Sequence, residues 1–117
     1  MCGFAGFLGA ARWRDAAQGT ALLQGMADPI FSRGPDDAGY WFAPLVGGGI
    51  GLAHRRLAIL DLSPAGHQPM ASTSGRFVLA FNGEVYNHLD LRKELGGSMV
   101  WRGHSDTETL LAGFEQW

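Results

Sequence analysis

Glycine punctuates this chain, filling 18 of 117 positions, roughly twice its usual share of about 7%. The glycines follow no G-X-Y period and have no Pro-rich companion tract, so collagen-like and linker structures are excluded. What remains is a chain of many turns or close backbone approaches. The rest of the composition supports a packed core. Hydrophobic residues are 46% of the chain, with four Trp and seven Phe, and charged residues are 17%, below the roughly 25% usual for soluble domains. Disorder is excluded on the same ground, and the length suits one domain.

The formal net charge is −2 and no Lys/Arg cluster is present, so there is no electrostatic footprint for nucleic acid. The longest uncharged run, Ala38 to Ala53, is broken by Pro44 and the glycines at 47–49, and it is shorter than the roughly 20 residues of a spanning helix. No membrane partner is expected. The apolar start lacks the positive region that precedes a secretory signal, and a cytoplasmic protein is expected. The histidines at 54, 67, 88 and 104 show no ligand spacing, and no glycine-rich phosphate loop precedes a helix, so no metal or nucleotide is expected.

Gly3 to Gly9 reads as a buried strand and Ala16 to Ala27 as a helix ended by Asp28-Pro29. Ser32 to Asp37 reads as a loop, Tyr40 to Phe42 as a strand, and Gly47 to Gly49 as a turn. Ile50 to Leu60 is strand-like. Arg76 to Phe81 is the most convincing strand, stopping at Asn82-Gly83. Asn87 suits the N-cap of a helix that Gly96-Gly97 closes, and Ser98 to Trp101 suits a short strand. Ser105 and Glu108 have the spacing of a capping box before a last helix. The elements alternate irregularly, which predicts an α+β fold.

The sharpest chemical feature is the position of the single cysteine, Cys2, directly behind Met1 and before Gly3. Removal of Met1, which a small second residue permits, puts a thiol and an α-amine on one residue, and an amine of pKa about 7.7 to 8.0 suits a general base. While Met1 stays, Cys2 lacks that base and the chain is expected to be inactive. The alternative is an ordinary small residue at a disordered start. Asn82-Gly83 offers either a hairpin turn or an amide and a backbone N–H for an oxyanion. Arg56 suits a structural ion pair or a substrate carboxylate. Asp106 suits the first turn of a helix or a substrate ammonium, and Glu84 offers the same choice.

Taken together, Met1-Cys2-Gly3, Arg33-Gly34-Pro35-Asp36, Ala53-His54-Arg55-Arg56-Leu57-Ala58-Ile59-Leu60-Asp61, Gln68-Pro69-Met70, Phe81-Asn82-Gly83-Glu84-Val85-Tyr86-Asn87 and Ser105-Asp106-Thr107-Glu108 form an ordered series across nearly the whole chain. The series resembles the glutaminase domain of the asparagine synthetase family, class II glutamine amidotransferases with an N-terminal nucleophile. The blocks around Arg56 and Asn82 are more similar to asparagine synthetases and their sugar- or peptide-amidating relatives than to the phosphoribosyl, glucosamine or glutamate synthase branches.

The resemblance implies an N-terminal-nucleophile hydrolase fold, a four-layer αββα sandwich of two antiparallel sheets. It implies that Cys2 attacks the side-chain amide of L-glutamine, that Asn82 and Gly83 hold the oxyanion, and that Arg56 binds the α-carboxylate. Glu84 and Asp106 then hold the α-amino end, with a contact near Ile59. Glutamate and ammonia result, and the ammonia passes to a C-terminal synthetase domain that uses ATP and Mg. Residues 1–117 themselves need no cofactor. The family's glutaminase domain is longer than this chain, so residues 1–117 are expected to be a truncated part of it without the synthetase domain. Uncovered sheet edges would then lead to pairing between copies, and a homodimer is expected. The acceptor is aspartate by resemblance, though a sugar or peptide carboxylate fits equally. Two other functions fit the residues: a non-catalytic structural or dimerising module, and a different N-terminal-nucleophile amidohydrolase, which would have no need of Arg56 together with Asp106.

Overall fold

The computed structural model of the chain describes residues 1–10, 15–59, 61–97 and 99–117. Strand β1 (Gly3–Ala10), helix α1 (Ala16–Ala27), β2 (Asp37–Leu45) and β3 (Gly48–Arg56) build the first half. The second half holds β4 (Met70–Ala71), β5 (Val78–Leu79), α2 (His88–Leu95) and α3 (Asp106–Gln116). The fold is mixed α+β with antiparallel sheets.

The three-stranded sheet has the order β1-β3-β2. β3 pairs with β1 from Gly3↔Arg55 to Ala10↔Gly48 and with β2 from Asp37↔Arg56 to Leu45↔Gly48. The tight β2–β3 turn places Gly47 at φ +82°, a conformation that side chains disfavour. Side chains alternate across the sheet. Ala53 packs with Leu23 and Ala27 of α1, against which Phe7 and Tyr40 also lie, so α1 covers one face. Asp15 starts α1 by accepting a hydrogen bond from the Ala17 N–H at 2.8 Å, as an N-cap side chain does. On the other face Phe4 and Leu8 stay exposed, so β1 is not the buried strand expected, because it lies at the sheet edge with α1 on one side only.

In the second half, α3 packs on α2 and on the β4–β5 ladder, with Phe77 and Phe114 ring centroids 6.2 Å apart. Among the described residues, no helix is long and apolar enough to cross a membrane.

Several local expectations change. The chain does not open into a loop at Ser32. Asp28–Arg33 forms a 3₁₀ turn with Pro29 near its start, and Asp37 already belongs to β2. The strand-like stretch from Ile50 leaves the sheet after Arg56, and Leu60 lies outside the described residues. The run Arg76 to Phe81 pairs only at Val78–Leu79, against Met70–Ala71. Its β-formers express that preference only beside a partner strand, and the backbone of Phe81 is instead engaged by side chains. Of the two readings of Asn82-Gly83 the hairpin is not the one formed, since the chain runs on into α2. Asn87 does sit at the N-cap of α2, but its side chain makes no cap bond. No strand forms at Met99–Trp101, and Ser98 lies outside the described residues. Trp101 instead carries the Arg92 guanidinium 4.0 Å from its ring centroid, a cation–π contact.

Candidate active site

Cys2 enters β1 beside the end of β3. Its Sγ accepts from the Leu57 N–H at 3.3 Å and its thiol donates to the Leu57 carbonyl at 3.6 Å. The Arg33 Nε–H donates to the Cys2 carbonyl at 3.1 Å. Asp36 accepts from the Ala58 N–H at 2.8 Å, and its own N–H donates to the Arg56 carbonyl. The Arg33-Gly34-Pro35-Asp36 turn thus secures the backbone on both sides of the thiol.

Arg56, at the end of β3, is buried. It donates through Nη1 to the Ser63 carbonyl at 3.0 Å and through Nη2 to the Asp61 carbonyl. A guanidinium has five N–H donors, so these two carbonyls orient the group without exhausting it. The Asp61 carboxylate is held by the Ser63 hydroxyl and N–H and by the His104 N–H. These hydrogen bonds favour its charged form, bringing its pKa down to about 2. Asp106, at the start of α3, accepts from the Val85 N–H at 2.8 Å through Oδ2. That bond draws the segment carrying Gly83 and Glu84 onto the helix.

These elements enclose a cleft of about 600 Å³, counting its open mouth. Cys2, Arg56, Ile59, Gly83, Glu84 and Asp106 all line it, so six of the seven candidate residues come together from distant parts of the sequence. Asn82 is not among the lining residues, although its neighbours Phe81 and Gly83 are. One cation and several carboxylates beside a thiol complement an α-amino acid carrying an electrophilic side chain. Among the described residues, no group of three or more His, Cys, Asp or Glu converges as a metal site would.

Sequence reasoning assigned no role to Leu57, Asp61, Gln68 or Thr107, which also line the cleft. Asp61 and Gln68 lie inside motif blocks that were readable. The contribution of Leu57 is its backbone, for which a side-chain pattern holds no signal.

A family model described as a glutamine amidotransferase domain matches residues 1–117. The chain is 39% identical over 116 residues to asparagine synthetase (glutamine-hydrolyzing) 2 of Bacillus subtilis, covering 99% of this chain and 15% of that protein. To asparagine synthetase (glutamine-hydrolyzing) 1 of the same organism it is 36% identical over 118 residues, covering 100% and 18%. To a putative asparagine synthetase (glutamine-hydrolyzing) of Mycobacterium tuberculosis it is 35% identical over 127 residues, covering 100% and 19%. The chain spans less than a fifth of the length of each of these relatives.

Proposed function

The chain belongs to the glutamine amidotransferase domain family, and on that premise we propose that it is the glutaminase part of an asparagine-synthetase-like enzyme, with Cys2 as its nucleophile. The observation that carries this reading is the convergence of Cys2, Arg56, Gly83, Glu84 and Asp106 on one cleft. Once Met1 is removed, the Cys2 α-amine takes the thiol proton and the thiolate attacks the side-chain amide carbon of glutamine. The Gly83 N–H and the Asn82 side chain stabilise the oxyanion. As the intermediate collapses, the C–N bond breaks, the amine returns its proton to the leaving ammonia, and a γ-glutamyl thioester remains. Water then attacks the thioester, the sulfur leaves as the thiol, and glutamate is released.

Substrate selection follows from charge. Arg56 pairs with the α-carboxylate, Glu84 and Asp106 hold the α-ammonium, and the backbone at Ile59 adds a contact. Residues 1–117 are then part of a longer glutaminase domain of the N-terminal-nucleophile type, an αββα sandwich. The ammonia goes to a synthetase domain that holds ATP and Mg and transfers nitrogen to aspartate or another carboxylate.

The test uses the full-length polypeptide, with loss of Met1 confirmed by mass spectrometry. Cys2→Ala is expected to abolish glutamate release from glutamine, and release at the parent rate would sink the mechanism.

A further inference from the structure

The block Gln68-Pro69-Met70 and the buried His54 meet at one backbone residue. The Gln68 side chain is buried; its Oε1 accepts from the Phe81 N–H at 2.6 Å and its Nε2 donates to Thr107 Oγ1 at 3.2 Å. His54, fully buried in β3, lies with Nε2 3.0 Å from the Phe81 carbonyl. A carbonyl only accepts, so Nε2 carries the proton. Burial pushes the His54 pKa below its ordinary value, in keeping with a neutral ring, and Nδ1 is buried with no hydrogen-bond partner among the described residues. Gly39, paired with His54 in the sheet, makes room for this arrangement. A Cβ there would lie 1.9 Å from the Gln68 carbonyl oxygen and 2.7 Å from His67 Nε2, so any side chain would push the 67–68 segment away from β2.

Both polar backbone groups of Phe81 are thus held by side chains from two other segments, in place of the strand partner that its sequence invites. Phe81 directly precedes Asn82-Gly83, and it lines the cleft with Gly83 and Gln68. We propose that His54 and Gln68 are positioning residues that clamp the Phe81 backbone and so set where Gly83, and with it the neighbouring Asn82, stands relative to the Cys2 thiol. This rests on the amidotransferase reading given above. The Gln68–Thr107 bond extends the clamp to α3, whose first residue is Asp106. One buried amide thereby ties the oxyanion segment to the helix that carries a substrate-binding carboxylate.

The clamp predicts a division between kinetic constants. An oxyanion forms only during reaction, so misaligned donors lower kcat while the affinity for glutamine stays. In the full-length, Met1-processed protein, Gln68→Met keeps the side-chain bulk and removes the acceptor. It is expected to lower kcat per folded Cys2 about 10- to 100-fold, with KM for glutamine within about threefold. His54→Gln can still present an N–H near the position of Nε2, whereas His54→Asn is too short to reach it. The first is expected to retain at least about tenfold more kcat than the second at similar KM. Circular dichroism and thermal melting establish that each variant is folded.

The proposal is overturned if Gln68→Met leaves kcat unchanged, if its effect falls on KM alone, or if the two His54 variants turn over equally. Failure of every variant to fold also overturns it, since the side chains would then serve the fold as a whole. Cys2→Ala, assayed alongside, separates the outcomes. If it abolishes turnover while Gln68→Met does not change kcat, the clamp fails and the glutaminase reading stands. If Cys2→Ala itself turns over normally, the reading beneath the clamp fails.

Discussion

Asp61 shows how much a single residue of this site depends on its surroundings. Its carboxylate accepts from the Ser63 hydroxyl and N–H and from the His104 N–H, and these hold its pKa at about 2, against about 3.9 for an unfolded Asp. The folded state therefore releases its proton more readily than the unfolded state. The stability this confers is fully present above about pH 4 and is lost as the pH falls toward 2. Asp61→Asn is expected to flatten that part of the profile, as measured by urea unfolding between pH 2 and 5. Equal slopes in the two proteins would show that Asp61 is not the group responsible. The motif block ending at Asp61 was legible in the sequence. Its function as an anchor for the loop before α3 was not, because His104 is remote in sequence and the contact uses a backbone N–H.

Among the elements, α3 was read almost correctly from its first residues. Ser105 is the N-cap, and its Oγ accepts from the Glu108 N–H at 3.3 Å. The reciprocal half of the expected capping box does not form. The Glu108 carboxylate accepts instead from the N–H groups of Arg102 and Gly103 at 2.7 and 3.0 Å, and it lies 3.4 Å from both Arg92 and Arg102. Arg92 completes this hub by donating to the carbonyls of Gly103 and Ser105 and to Thr109 Oγ1. Two different costs follow. Ser105→Ala is expected to cost about 1 kcal/mol, the usual value of an N-cap. Glu108→Ala removes the counter-charge of the half-buried Arg92 and the acceptor of two N–H groups, and is expected to cost on the order of 3 kcal/mol. Equal losses in urea denaturation would mean that Glu108 is no more than a cap. The spacing from Ser105 to Glu108 is a local signal that sequence carries, whereas the partner the carboxylate takes depends on where α2 packs.

At the scale of the whole molecule, the radius of gyration is 15.0 Å and the principal extents are 44 × 33 × 18 Å, against about 13 Å for a compact domain of this length. α1 covers one face of the three-stranded sheet, and on the other the segments carrying Gln68 and Phe81 cover the sheet around His54. Phe4 and Leu8, 54% and 75% exposed, stand on the other face, apolar surface of the kind that marks an interface. Leu8→Lys should hardly change the stability in urea denaturation, since Leu8 is 75% exposed. Leu23→Ala, at a fully buried position on the sheet-facing side of α1, should cost about 2–5 kcal/mol in urea denaturation. Equal losses for the two variants would show that α1 does not bury Leu23 against the sheet.

The sequence by itself determined the family, the glycine-rich turns, the helix starts at Ala16 and Asp106, and six of the residues that line the cleft. Each of these is written in residue chemistry or in short-range backbone preference. Tertiary structure alone decided that Arg76 to Phe81 stays mostly unpaired, that Glu108 serves a polar hub, and that His54 and Gln68 meet at Phe81. Those outcomes turn on which group a donor or acceptor finds far along the chain. That choice is made only when the whole molecule has packed.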